Sequence, residues 1–283
     1  MDLGMSKEKK NTLSKEAASR WGGRRSRGLV SLADRREILL VPIAMIALIG
    51  VWFLIGWLGK YPSFLLPTPI QVWKRFLRVA ADGSLWYHTS ITLVEILAGL
   101  ALGLAVAVVL GYLIAKSPLI ERFLSPYIVA SQSVPIVALA PLLIVWFGFG
   151  LLSKVLVCAL TIFFPVLINT IIGLRSVEED LVDLMRSLEA TRWQIFRLLE
   201  VPAALPVLMG GLKIGVTLSV IGAVVGELVG ADMGLGFLIN VGRGQYDTAL
   251  VFVGVFTLIA LALALYGLVL LLERNLLKWK NGK

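Results

Sequence analysis

The chain has 283 residues, 58% of them hydrophobic and 16% charged, with a mean hydropathy of +0.87 and a formal net charge of +9. That apolar excess excludes an ordinary soluble globular domain. The apolar residues also lie in runs too long and unbroken for the alternating strands of a membrane β-barrel, so an all-α membrane protein remains.

In chain order, residues 1–37 form a Gly/Ser/Lys/Arg-rich tail without apolar period, and ten of the 27 Lys and Arg fall within it. This reads as an unstructured basic tail lying near anionic lipid, in preference to a nucleic-acid-binding arm. Residues 38–58 carry no charge. At 1.5 Å per residue such a run crosses the hydrocarbon, and it starts too late, without a small-residue cleavage site, for a signal peptide. Next comes "VWKRFLRV", where Trp73, Phe76 and Leu77 beside Lys74, Arg75 and Arg78 suggest a short helix on the outer interface. The first helix and this outer segment together make up 38–83.

Five further spans follow at about 91–115, 126–147, 155–174, 214–229 and 248–272, giving six transmembrane helices in all. The last five form one unit, 84–272, with a loop at 175–208, and 273–283 is a C-terminal tail. With six spans, 21 of the 27 Lys and Arg fall on the side of both termini and that loop. The other side holds six: Lys60, Lys74, Arg75, Arg78, Lys154 and Arg243. The bias places both termini and the loop in the cytoplasm.

Gly99, Gly103, Ala107 and Gly111 lie four apart on the second span and fit close helix packing. Gly222, Gly226 and Gly230 repeat the spacing on the fifth, either as packing or as a seam that slides during gating. In the third, "SQSVPIVALAP" puts Ser131, Gln132, Ser133, Pro135 and Pro141 at membrane depth. The prolines free backbone groups that lipid cannot satisfy, so this helix is expected to face protein or a water-filled path. Glu95 and Glu227 are the main ionisable groups in the spans. Each is either functional or a carboxylate reaching the headgroups from near the outer end. No chain of midplane charges or inverted repeat suggests a secondary transporter, and a membrane scaffold would not explain the central loop. Cys158 is alone, and so is His88. No metal-ligand spacing, nucleophile elbow or GxxxxGK loop occurs, so no catalytic or metal residue is expected.

The loop, "EEDLVDLMRSLEATRWQIFRLLEVPAALP", is the informative part. Leu181, Leu184, Met185, Leu188, Ile195, Phe196 and Leu199 fall close to one helical stripe. Ser176 with Glu179, and Thr191 with Gln194, have capping-box spacing, so two helices are expected, the second stopping near Glu200 before Pro202. The six acidic residues Glu178, Glu179, Asp180, Asp183, Glu189 and Glu200 make the loop a poor partner for anionic lipid. An apolar stripe with mixed charge suits a groove on a protein.

This stretch resembles the cytoplasmic "EAA" loop in permease subunits of bacterial ATP-binding-cassette importers. With Pro202 on the motif's proline, Asp183, Leu184 and Met185 fall on E-A-A, Glu189 on its glycine and Val201 on the leucine. "LLPTPIQVW", "PLLIVWFGFG", "FFPVLINTIIGL" and "GELVGADMGLGFLI" are also similar to the branch importing sulfonates, nitrate, taurine and vitamin precursors. "SVPIVALAPLLIVWFGFG" looks closer to its riboflavin and thiamine-precursor members. The resemblance implies a type I importer transmembrane domain in the bacterial inner membrane, with no cofactor of its own. It implies a paired cytoplasmic ATPase binding ATP and Mg, an extracytoplasmic binding protein, and a pore made with a second permease copy. Mapped here, residues 183–193 would dock on the ATPase, with Asp183, Glu189 and Arg192 as polar contacts and Leu184, Met185 and Leu188 as anchors. Ser131, Gln132, Ser133 and Glu227 would line the path. Glu189 departs from the pattern. If that position needs positive φ, the capping boxes must hold the bend in place of glycine.

Overall fold

The computed structural model describes residues 30–278, with side chains from Pro42 onward. Among them there is no strand. The described residues fall into two units that divide between Lys60 and Tyr61. The first contains helix α1 (Val30–Gly59), whose apolar stretch Pro42–Gly59 has none of its residues buried. This is the surface expected of a helix facing lipid. Most of the basic tail lies outside the described residues.

The second unit opens with α2 (Pro69–Ala81), started by a full capping box between Thr68 and Gln71. Val72 and Val79 are buried, while Ile70, Trp73 and Leu77 are exposed on the other side. This short helix and the turn before it are tied to the start of the last helix, because Arg75 Nε pairs with Asp247 Oδ2 at 2.7 Å and Thr248 Oγ1 donates to the Phe64 carbonyl.

Three long helices form the centre: α3 (Ser84–Ala115), α6 (Leu151–Arg175) and α9 (Val201–Gly230). The middle one, α6, packs against α3 and α9 more extensively than any other pair of helices packs. The two small-residue ladders make this possible. A Cβ on Gly103 would fall 2.7 Å from the Ala159 carbonyl oxygen, and one on Gly222 would fall 2.8 Å from the Cys158 Cα. Backbone therefore meets backbone on both sides of α6, as expected where lipid offers no hydrophobic drive. Ala107, Ile114, Ile162, Val166, Leu167 and Ile171 fill the α3–α6 seam.

The expected third span, 126–147, is not one helix. It is α4 (Pro118–Gln132) and α5 (Ile136–Phe147), bent by 92°. Pro135 supplies the cause, having no N–H to donate and disfavouring helical geometry at Val134. Among the described residues, five helices are long and apolar enough to cross a membrane, or six if this bent pair counts as one.

After α6 come α7 (Glu179–Ser187), α8 (Arg192–Ile195) and a π-helical turn (Phe196–Glu200) that runs directly into α9. The stop expected near Glu200 does not occur. The wide turn lets Val201 N–H reach the Phe196 carbonyl, and Pro202 then sits in the first turn of α9, where a missing N–H costs little. The span expected at 214–229 is the far part of an apolar helical run, Arg192–Gly230, of 39 residues. A further helix, α10 (Leu235–Gly244), was not anticipated; it precedes α11 (Thr248–Leu276), capped by Asp247 Oδ1 accepting from Leu250 N–H at 3.0 Å.

Candidate functional site

The 175–208 segment builds its bend from backbone and caps. Glu178, not Ser176, is the residue before α7, and it makes no side-chain cap. Ser176 Oγ instead donates to the Gly173 carbonyl at 2.7 Å, so the first expected capping box is absent. At the end of α7, Glu189 N–H donates to the Arg186 carbonyl at 2.9 Å and Ala190 N–H to the Met185 carbonyl at 3.0 Å. This paired arrangement closes a helix through a left-handed residue, and Glu189 has φ +56°. The position does require the conformation that glycine adopts without strain. Two residues later the second capping box is complete: Thr191 N–H donates to Gln194 Oε1 at 2.7 Å and Gln194 N–H to Thr191 Oγ1 at 3.3 Å.

The apolar stripe divides. Leu181, Leu184 and Leu188 are exposed, Met185 is half-buried, and Ile195 is buried behind them. Asp183 is exposed and pairs with Arg186 at 2.9 Å, and Arg192 is exposed at the start of α8. A large apolar rim with charge at its edge therefore stands away from the bundle. Trp193 extends it, 66% exposed with its ring 5.3 Å from that of Phe196; the family motif gave no reason to single it out.

Both roots of the segment are tied to the corner between α3 and α4. Buried Glu200, in the π turn, pairs with Lys116 at the end of α3, and Arg175, at the end of α6, pairs with Glu121 of α4. Behind the loop, these pairs line a cavity of about 1080 Å³ together with Arg122, Glu179 and Arg186. Pro202 lies at the junction where the loop becomes α9.

The expected path residues separate. Ser131, half-buried with Oγ donating to the Tyr127 carbonyl at 2.7 Å, and exposed Gln132 and Ser133 sit at the sharp break between α4 and α5. Glu227 has other neighbours. It is fully buried, and so is Glu95, so neither carboxylate reaches headgroups. Lys154, counted above as an outer-loop cation, is inside α6 and 3.0 Å from Glu95 Oε1. Its neighbours are apolar enough that a lone charge beside the run looked like the run's edge.

Around Glu227 the start of α10 is held by side chains from α3 and α9. Gly234 N–H donates to His88 Nδ1 at 3.0 Å, Leu235 N–H to Thr92 Oγ1 at 2.8 Å, and Gly236 N–H to Glu227 Oε2. Thr92 Oγ1 donates in turn to Glu227 Oε1 at 2.6 Å. Three consecutive amides that a helix start leaves open thus find tertiary partners.

A helical bundle with a broken span and an exposed, rooted, two-helix loop is the architecture of an importer's membrane subunit. Residues 103–278 match the family of binding-protein-dependent transport system inner membrane components, and the chain belongs to it. It is 46% identical to the riboflavin transport system permease protein RibX of Chloroflexus aurantiacus, over 85% of this chain and 90% of that one. It is 37% identical to the formylaminopyrimidine transport permease protein ThiX of Halalkalibacterium halodurans, over 77% and 87%. Among solved structures, the methionine ABC transporter MetNI in inward-facing conformations superposes with TM-score 0.54 at 23% identity, over 69% of this chain and 95% of that one. The chain is a multi-pass inner-membrane permease component of an ABC importer, a transport subunit that works with ATPase and binding-protein partners.

Proposed function

We propose that this chain forms the path by which an ATP-driven importer takes up riboflavin. The identity to RibX over most of both chains carries this reading. The binding protein delivers the vitamin at the outer mouth, and two copies of this chain enclose the path, with Ser131, Gln132 and Ser133 along it. ATP and Mg bind only in the ATPase pair. Residues 183–193 are the docking segment: Leu184, Met185 and Leu188 enter the ATPase groove, and Asp183, Glu189 and Arg192 bond at its rim. Both termini then lie on the ATPase side, a reading that the Lys and Arg bias supports.

The test is uptake of labelled riboflavin into proteoliposomes holding this chain, its ATPase and its binding protein. ATP-dependent accumulation, competed by unlabelled riboflavin and not by formylaminopyrimidine, is the expected result. Competition by the pyrimidine alone would transfer the assignment to the thiamine-precursor branch, favoured by the similarity to ThiX. Accumulation of taurine or an alkanesulfonate instead would move it to the sulfonate branch.

A further inference from the structure

The buried charges around α10 do not balance. Glu95 of α3, Lys154 of α6 and Glu227 of α9 are 0%, 4% and 0% exposed, and they belong to one enclosed cluster. Lys154 Nζ lies 3.0 Å from Glu95 Oε1, and Thr92, one turn before Glu95 on α3, donates to Glu227 Oε1 at 2.6 Å, which brings the two carboxyls to the same seam. Glu227 has donors for both oxygens, from Thr92 and from Gly236 N–H. Glu95 Oε2, equally buried, has no donor.

Two carboxylates and one ammonium leave one negative charge over. Among the described residues, no cation besides Lys154 pairs with these carboxyls. His88 uses Nδ1 as an acceptor for Gly234 N–H, which an imidazolium could not do. Cys158, buried on α6, carries no positive charge in any state. The partial positive end of α10 is already engaged by Glu227. An uncompensated charge in such an enclosure is costly, and carboxyls brought face to face relieve it by sharing a proton.

We propose that the cluster is a proton-binding site: Glu95 holds one proton on Oε2 and donates it to Glu227, so that the Glu95–Lys154–Glu227 triad is neutral. The bound proton serves a positioning role. It lets Glu227 keep its negative charge directed at the start of α10 while two acidic side chains lie together, and so fixes α10 to α3 and α9.

Infrared spectroscopy of the full-length chain in lipid nanodiscs at neutral pH, with ¹³C-labelled glutamate, tests this. The wild type is expected to show a protonated-carboxyl stretch that shifts with the label. Glu95→Gln removes it. Glu227→Gln removes it as well, because Glu95 alone with Lys154 needs no proton. Lys154→Gln strengthens it, because both carboxyls must then be neutral. A merely structural cluster of ionised groups gives no such band in any of the four proteins. Absence of the band from the wild type overturns the proposal without recourse to a variant. Its persistence in well-folded Glu95→Gln or Glu227→Gln protein overturns it too.

Discussion

At Glu189 a side chain occupies the left-handed region, at φ +56°, where the family motif has glycine. The strain is of the order of 1 kcal/mol, small beside the hydrogen bonds on either side of it. Glu189→Gly is therefore expected to protect the loop amides slightly more in hydrogen exchange and to change transport only modestly. Thr191→Ala removes the side-chain half of the one complete capping box in the loop and is expected to cost roughly 1 kcal/mol, seen as faster exchange at the start of α8. A large gain in transport from Glu189→Gly would show that the bend is held by something other than these caps. The Thr191 box was legible from its spacing, and Thr191 Oγ1 both accepts from Gln194 N–H and donates to Gln194 Oε1 at 3.0 Å. The Ser176 box was not realised because a serine at the end of a helix can bond back to a carbonyl three residues earlier, and spacing alone does not tell which bond wins. Glu95 and Glu227 were legible as the main ionisable groups of the spans, but their meeting with Lys154 was not, since the three are far apart in sequence and each looks like an isolated charge at the margin of an apolar run.

At the scale of elements, the hydropathy runs located the spans but not their breaks. Residues 126–147 satisfy length and composition for one helix, yet the backbone constraint at Pro135 overrides both. At Pro202 the same constraint was expected to end a helix and does not, because a π turn places the proline in a first turn. Where helices meet, the glycine ladders were readable from spacing, and α6 is the partner of both. Gly103→Leu would drive a side chain into the Ala159 carbonyl and Ile162, and is expected to lower the thermal unfolding midpoint of the purified chain by many degrees. Gly267→Leu, on α11 with nothing within 4 Å, is the matching substitution that should leave the midpoint unchanged. At the loop's root, Lys116→Met leaves buried Glu200 without its cation. The lysine is partly exposed, so the expected loss is roughly 1–3 kcal/mol, recovered in Lys116→Arg.

At the scale of the whole molecule, the exposed rim of α7 is the surface whose removal should separate assembly from folding. Leu184→Asp with Leu188→Asp alters two side chains that are 55% and 69% exposed, so the bundle should keep its unfolding midpoint. Co-purification of the ATPase with the tagged chain should be lost. Retention of the ATPase by this double variant would exclude α7 as the principal contact.

The tight seams on both sides of α6 also have a mechanical meaning. Backbones in contact leave no soft layer to absorb shear, so α3, α6 and α9 are expected to move as one stiff body, and not to slide along the Gly222–Gly230 seam. Twenty-five residues of α6 span about 37 Å, so tilting the body by 10° about the loop end carries its opposite end through about 6 Å. The anchored start of α10 rides on α3 and α9. On this reading a modest rocking at the loop would be returned, undamped and enlarged, at the other end of the bundle.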